Sequence, residues 1–149
     1  KSQVLAGGTK FYWKVTAKNA LGTTEASNNG ISFTVEIPPL PTSFNQLTPA
    51  NTTINASWTP TFTWEASERA ETYTLLISTS NTFATNIVNQ AGITLTTHKI
   101  TTSLSPSTTY FWKVIAVNAA GSLDATNEGL TFTTVAEPVR DDNYHVALT

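Results

Sequence analysis

The chain contains the same stretch of sequence twice, at a constant spacing of 99 residues and without a gap. Residues 5–35 align with residues 104–134, and 14 of the 31 aligned positions are identical. A repeat of this period indicates tandem modules of about a hundred residues each. The second copy has roughly seventy residues of module in front of it, whereas the first has four. We therefore expect one whole module and the tail of another, within a longer polypeptide.

The composition favours an all-β protein. Charged residues make up only 12% of the 149 positions, and Thr, which suits an exposed strand face, occupies 29 of them. The formal net charge is −2, with no cluster of Lys or Arg, so we expect no nucleic-acid partner. The chain has no Cys, which excludes disulfides, thiolate metal sites and cysteine nucleophiles.

The same composition favours an extracellular location, either secreted or on a cell surface. Low charge with abundant Thr and Asn suits that setting, and no apolar run approaches the ~20 residues that span a bilayer. Asn51 and Asn55 each begin an Asn-x-Ser/Thr pattern. Such patterns arise by chance in an Asn- and Thr-rich chain, so the sequence leaves open whether either residue is glycosylated.

Apolar side chains alternate with polar ones along several short segments that turn residues separate. Alternation of period two predicts strands with one buried face, and no segment shows the spacing of an amphipathic helix. The pattern therefore predicts a sandwich of antiparallel sheets with essentially no helix. The inward positions that it predicts are Phe62, Trp64, Tyr73, Leu75, Ile77, Tyr110, Trp112, Val114, Ala116, Leu130 and Phe132.

The repeat and the turn residues divide the chain into four parts. Residues 1–35 are the end of a truncated module, and residues 42–135 are a complete module. Between them, residues 36–41 read Glu-Ile-Pro-Pro-Leu-Pro, which predicts a short, semi-rigid linker. Residues 136–149 are a linker or tail towards a further domain.

The segment from Leu104 to Gly121, LSPSTTYFWKVIAVNAAG, resembles the fibronectin type III signature around strand F. Trp64, which follows Phe62 at period two, resembles the core tryptophan of that family. The amino-acid sequence of these strands is most similar to that of type III-like modules of secreted bacterial proteins, notably those of Bacteroidetes. The resemblance implies a seven-stranded antiparallel, immunoglobulin-like β-sandwich over residues 42–135, and strands F and G alone over residues 1–35.

The resemblance also implies a corner tyrosine at Tyr110, whose hydroxyl reaches the backbone just upstream. Its counterpart in the first copy is Phe11, which has no hydroxyl. A two-stranded hairpin is marginal in water, and here it would expose Trp13, Val15 and Phe33. Two alternatives would cover these side chains: earlier strands of a longer polypeptide, or strands that another chain adds by β-augmentation.

Three aromatic residues are candidate ligand or partner contacts. Trp58, near a strand start, is either a lid over one end of the sandwich or a platform that stacks on a sugar ring. Phe111 and Tyr12 face outward at equivalent positions of the two copies of strand F, where they pack laterally or contact a module or partner. The remaining tryptophans, Trp13, Trp64 and Trp112, are expected to pack in cores.

The polar residues give no support to catalysis or to metal binding. His98 is expected to be a half-buried strand residue without a second ligand at a metal-like spacing. Glu137 with Asp141 and Asp142 lacks the pattern of a calcium loop. There is no Gly-rich phosphate loop, nucleophile elbow or ordered Ser-His-Asp set. We therefore expect no enzyme activity, catalytic residue, cofactor or metal in this chain.

The sequence therefore predicts a structural and interaction module that spaces neighbouring domains and presents loops. Its expected partners are neighbouring modules of the same polypeptide, a glycan or another surface protein, in a role such as adhesion. The alternatives are a carbohydrate-binding module, or an accessory module of a secreted polysaccharide- or protein-degrading enzyme whose catalytic domain lies elsewhere.

Overall fold

A computed structural model describes residues 5–28 and 30–139 of the chain. The chain forms two compact units, unit 1 (Lys1–Pro39) and unit 2 (Leu40–Thr149). The described residues contain strands and no helix, which confirms the all-β prediction for that part of the chain.

Unit 1 consists of two antiparallel hairpin ladders formed by the first copy of the repeat. Strand β1 (Lys10–Trp13) pairs with β4 (Ile31–Thr34), and β2 (Thr16–Asn19) pairs with β3 (Gly22–Glu25). The Asn19 side chain stabilises the inner turn, because its Oδ1 accepts hydrogen bonds from the backbone N–H groups of Leu21 at 2.9 Å and Gly22 at 3.1 Å.

Unit 2 is a sandwich of two sheets. The smaller sheet has the order β10–β7–β5, and the larger has the order β6–β13–β11–β8–β9, with β12 also pairing with β11. The bounds are β5 (Gln46–Thr48), β6 (Thr53–Ala56), β7 (Thr61–Trp64), β8 (Thr72–Ser78), β9 (Val88–Ile93), β10 (Thr97–Lys99), β11 (Thr109–Asn118), β12 (Gly121–Asp124) and β13 (Leu130–Thr134).

The core of unit 2 lies between the sheets and is dominated by aromatic side chains. The ring centroids of Phe62 and Trp112 are 5.0 Å apart in an edge-to-face arrangement, so the two sheets meet through this pair. Burial confirms the period-two prediction, with Leu130 only half-buried. Buried residues that the pattern did not predict include Phe44, Ile93, Ile100, Leu104 and Ala125.

One strand pair differs from the purely antiparallel sandwich that was expected. The segment from Gln46 to Ala56 belongs to both sheets, because β5 pairs with β7 in one sheet and β6 pairs with β13 in the other. The β6–β13 pair is parallel. Pro49, in a cis peptide bond with Thr48, lies between the two strands. Proline has no N–H to donate, so the β5 ladder ends there.

The two copies of the repeat have the same strand register. Lys10 pairs with Thr34 in unit 1, and the aligned Thr109 pairs with Thr133 in unit 2. The aligned ring pairs also match: Phe11 and Phe33 stack at 5.9 Å with an interplanar angle of 26°, and Tyr110 and Phe132 stack at 5.7 Å with 27°. The two copies of the repeat therefore share one hairpin geometry.

The β12 and β13 strands pair with the same edge of β11, and the hydrogen-bond ladder is interrupted between them. The Gln46 side chain fills this interruption. Its Nε2 donates to the Trp112 carbonyl at 3.2 Å, and its Oε1 accepts from the Val114 N–H at 3.1 Å. The Asn127 amide in turn bonds both backbone groups of Gln46, at 2.7 and 3.0 Å. The side-chain amides of Gln46 and Asn127 thus replace backbone partners in the ladders, and Gln46 joins β5 of the smaller sheet to β11 of the larger one.

The first residues of unit 2 are tied to its body. The carbonyl of Leu40 accepts a hydrogen bond from the Arg69 Nε at 3.0 Å. Thr42 and Glu68 exchange two bonds, because each backbone N–H donates to an oxygen of the other residue, at 3.1 and 2.8 Å. Pro41 is buried. The last two residues of the predicted linker are therefore fixed on unit 2.

Candidate functional site

Trp58 lies at one end of unit 2 and joins two segments of the chain. Its indole N–H donates a hydrogen bond to the carbonyl of Val135 at 2.9 Å, and the side chain is half-buried. This hydrogen bond ties the Trp58 indole to the residue that follows β13. The indole also lines an open depression of about 350 Å³ with Ser57, Thr59, Ser103, Val135, Ala136 and Pro138. The ring therefore presents an apolar surface beside a structural contact.

Phe111 lies on the outer face of β11, in a wider depression of about 510 Å³. The half-buried rings of Phe111 and Phe83 both line this depression. We call this surface the Phe83–Phe111 groove; it is lined by Asn81, Thr82, Phe83, Phe111, Lys113, Glu128 and Gly129. The two aromatic rings can contact the apolar part of a ligand. The amide, the hydroxyl and the charged groups of both signs can contact its polar part.

Lys113 is the electrostatic centre of the groove. Its Nζ lies 3.3 Å from both Asp124 Oδ2 and Glu128 Oε2, and 5.3 Å from the centroid of the Phe83 ring. Burial alone would lower the pKa of Lys113, but hydrogen bonds and attraction to Asp124 and Glu128 outweigh it and raise the pKa above 10.5. The lysine therefore stays charged and fixes both carboxylates.

Tyr12 occupies the position in unit 1 that aligns with Phe111. Its side chain is 69% exposed, and the Lys10 Nζ lies 5.5 Å from the ring centroid. Phe83, by contrast, lies on a loop that precedes the duplicated segment, so Tyr12 has no aligned counterpart of this second ring. Within unit 2, Trp58 and Phe111 line separate depressions. Tyr12 belongs to unit 1.

Phe83 and the role of Lys113 were not predicted from the sequence. Phe83 follows the Ser80–Thr82 turn and has a φ of 52°, in the left-handed region that bulky residues rarely adopt. The available signal was a lone aromatic beside a turn. For Lys113 the signal was the repeat, because Lys14 and Glu25 align with Lys113 and Asp124. The structure shows the same ion pair in unit 1, with the Lys14 Nζ 2.6 Å from Glu25 Oε1.

The polar residues weighed for metal binding are separated in the described part of the chain. His98 is half-buried on β10 and pairs with Phe62 across the ladder, as expected of a strand histidine. No group of three potential ligands lies together among residues 5–28 and 30–139, and Asp141 and Asp142 lie outside them. A search of the same residues finds no helix with the length and hydropathy of a membrane span.

Two sheets and an aromatic core form unit 2, and the Tyr110 hydroxyl accepts a hydrogen bond from the Ser105 N–H. These features define unit 2 as a β-sandwich module of the immunoglobulin-like type. The sequence model of the fibronectin type III domain matches residues 38–133, and the chain belongs to that family. The truncated first copy lies outside the matched range. The prediction of a bacterial origin stays a prediction.

Solved structures of the same family are similar to this chain. A structure described as FN3tt mut has 23% sequence identity and a TM-score of 0.41, over 64% of this chain and 92% of that one. The FN1–FN3 domains of chicken CNTN1 have 19% identity and a TM-score of 0.47, over 91% of this chain and 46% of that one. A search of curated proteins finds no match.

Proposed function

We propose that this chain is a non-catalytic spacer and interaction module of a larger secreted or cell-surface protein. The observation that carries the proposal is the attachment of the leading segment to unit 2. Leu40 and Thr42 are bonded to the loop that contains Glu68 and Arg69. A segment bonded at two nearby residues has few conformations, which suits the start of a module that acts as a spacer.

The packing of Leu40 against Gly121 supports the same proposal. An added Cβ at this position would lie 2.9 Å from the Leu40 Cδ2, so the Leu40 side chain packs directly on the β11–β12 turn. The proline rings of the linker restrict the backbone further, because each fixes its own φ and restricts the preceding residue. Hydrogen bonds, packing and ring geometry thus act on the same few residues.

The test of the spacer function is a distance measurement between spin labels on the two units. The chain has no cysteine, so Thr23→Cys and Asn89→Cys, both at exposed strand positions, can be labelled without background. We expect a narrow, single-peaked distance distribution that Arg69→Ala broadens. The matched control is Lys99→Ala, which removes an exposed cation from β10. A distribution that is already broad in the unmodified background would contradict the proposal.

The Phe83–Phe111 groove is the proposed contact surface for a partner. A second candidate function of this groove is carbohydrate binding. Two half-buried aromatic rings lie there beside carboxylate, amide and hydroxyl groups, and this combination favours a sugar ligand. Aromatic faces stack on the apolar face of a sugar ring, while polar groups bond its hydroxyls. In that case the chain would serve as a carbohydrate-binding or accessory module of a secreted degrading enzyme.

A nuclear magnetic resonance titration with a panel of neutral and acidic oligosaccharides tests the glycan contact. Glycan binding predicts shifts of the Phe83, Phe111 and Lys113 amides, and at least tenfold weaker binding for Phe111→Ala. Trp58→Ala tests the other platform in the same assay. If no amide of either depression shifts at millimolar sugar, the carbohydrate alternative is wrong and the spacer proposal is unaffected.

A further inference from the structure

The Phe83–Phe111 groove carries more negative than positive charge. The Lys113 Nζ lies 3.3 Å from both Asp124 Oδ2 and Glu128 Oε2, so one ammonium group faces two carboxylates and the three charges sum to −1. No other charged residue lines the groove in the described part of the chain. The Lys113 side chain is 17% exposed, whereas those of Asp124 and Glu128 are 43% and 49% exposed. The negative groups are therefore the ones that a ligand reaches.

The first copy of the repeat shows that the second carboxylate is not needed for the ion pair. The residues that align with the lysine and the aspartate of the groove are Lys14 and Glu25, and they form an ion pair at 2.6 Å. Glu128 aligns with Asn29, which carries no charge. The carboxylate of Glu128 is thus an addition that is specific to the second copy, and it is the group that makes the groove negative.

Both carboxylates can accept further hydrogen bonds. Lys113 bonds one oxygen of each, Oδ2 of Asp124 and Oε2 of Glu128, whereas an ionised carboxylate offers about four acceptor sites. The half-buried Phe111 ring lines the same groove. A ligand group that is flat, positively charged and rich in N–H donors would therefore use both the ring and the carboxylates.

Among protein side chains, arginine combines these properties. Its guanidinium group is planar, is always charged and carries five N–H donors in a fork that fits a carboxylate. The same group stacks on aromatic faces and is more weakly hydrated than an ammonium group. An anionic ligand would add to the negative charge of the groove, and a neutral sugar would leave that charge uncompensated.

We propose that the Phe83–Phe111 groove binds an arginine side chain on the surface of a partner protein. The guanidinium group stacks on Phe111 and donates hydrogen bonds to the carboxylates of Glu128 and Asp124. Charge complementarity carries the argument, because one guanidinium group brings the charge of the groove from −1 to zero. The proposal rests on the proposed role of this groove as a partner contact, and it names the chemical group that the partner presents.

The test is a nuclear magnetic resonance titration of the chain 1–149 with two tripeptides that differ in charge. One is glycyl-arginyl-glycine blocked at both ends, and the other has citrulline, which is neutral and has almost the same shape, in place of arginine. We expect the arginine peptide to shift the amides of Phe83, Phe111 and Glu128. It should bind about fivefold more tightly than the citrulline peptide, the scale of one cation–π contact or one exposed ion pair. Added salt should reduce this difference, because the carboxylates are partly exposed.

A substitution of the added carboxylate tests its role. Glu128→Gln should lower the affinity for the arginine peptide to that for the citrulline peptide. Glu71→Gln, at an exposed position just before β8, is the matched control and should leave the affinity unchanged. The amides of β7, on the smaller sheet, report that unit 2 is folded in each sample. Equal binding of the two peptides, or full affinity in Glu128→Gln, would overturn the proposal.

A neutral oligosaccharide in the same titration separates this proposal from the function on which it rests. If the sugar shifts the groove amides and the arginine peptide does not, the arginine proposal is wrong and the groove remains a contact surface. If none of the three probes shifts these amides, the arginine proposal is also wrong. The spin-label distances between the two units test the spacer function separately in either case.

Discussion

The hydroxyl oxygen of Tyr110 accepts a hydrogen bond from the backbone N–H of Ser105, at 3.0 Å. This contact confirms the corner tyrosine that the sequence implied through its resemblance to the family. It ties the start of β11 to the loop before it. Tyr73 makes a similar contact that the sequence did not indicate, since its hydroxyl accepts from the Ser67 N–H at 2.9 Å.

Tyr110→Phe should lower the free energy of unfolding of unit 2 by about 0.5–1.5 kcal/mol, the net contribution of one hydrogen bond. The substitution keeps the ring and therefore its stacking on Phe132. Urea denaturation of the full chain measures the change, and Tyr12→Phe, at an exposed position, is the matched control. A Tyr110→Phe variant as stable as the unmodified chain would refute the role of the hydroxyl.

Gln46→Met should destabilise unit 2 by about 2 kcal/mol or more, because the Trp112 carbonyl and the Val114 N–H both lose their side-chain partner in a buried position. The side chain of Gln46 is almost fully buried, at 3% exposure, so water cannot replace the amide without opening the core. Gln90→Met, at an exposed position on β9, should change stability by less than about 0.5 kcal/mol. Equal effects of the two substitutions in the same denaturation assay would contradict the role of the amide.

Val114→Ala should cost about 2 kcal/mol, because it removes two buried methyl groups and leaves a cavity. The aligned Val15→Ala should cost less than about 0.5 kcal/mol, since Val15 is 54% exposed. Chemical denaturation of the two variants, with tryptophan fluorescence as the signal, makes the comparison. A comparable loss in both would mean that Val15 is covered in solution.

Lys113→Met should remove a stabilising contribution that is present at neutral pH and lost at alkaline pH. The pKa of Lys113 is raised in the folded protein, so its contribution is fully present below the unfolded pKa, near 10.5, and is lost as pH rises through the folded pKa. The stability difference between the unmodified chain and Lys113→Met should therefore be constant up to about pH 10 and shrink above it. Lys99→Met, at an exposed position, is the control. A difference that stays constant to pH 12 would contradict the ion pairs.

The sequence predicted the parts of the fold that depend on local periodicity. Phe62, Trp64 and Tyr73 lie where the alternation placed them, because one buried face requires every second side chain to be apolar. The repeat likewise predicted the hairpin in unit 1, but Trp13, which was expected to pack in a core, is 47% exposed there. These features depend on neighbours within one strand or one hairpin, which a single sequence displays directly.

The features that the sequence did not predict depend on contacts between distant segments. Gln46 bonds to Val114, 68 positions later, and a polar residue in a short strand gives no sign of such a partner. The parallel β6–β13 pair arises where Pro49 divides one strand between two sheets. Phe83 lies on a loop without periodicity, so only the fold brings it beside Phe111 and Lys113.

The two hydrogen bonds between the Asn127 side chain and the Gln46 backbone limit how the sequence of the loop at residues 125–129 can change. Ala125 is buried, the Thr126 N–H donates to the Phe44 carbonyl at 2.9 Å, and Asn127 completes the edge of β5. One inserted residue would move Asn127 out of reach and leave buried backbone groups without partners. This loop behaves as a short extra strand, so new binding sequences grafted into this module would be tolerated better elsewhere.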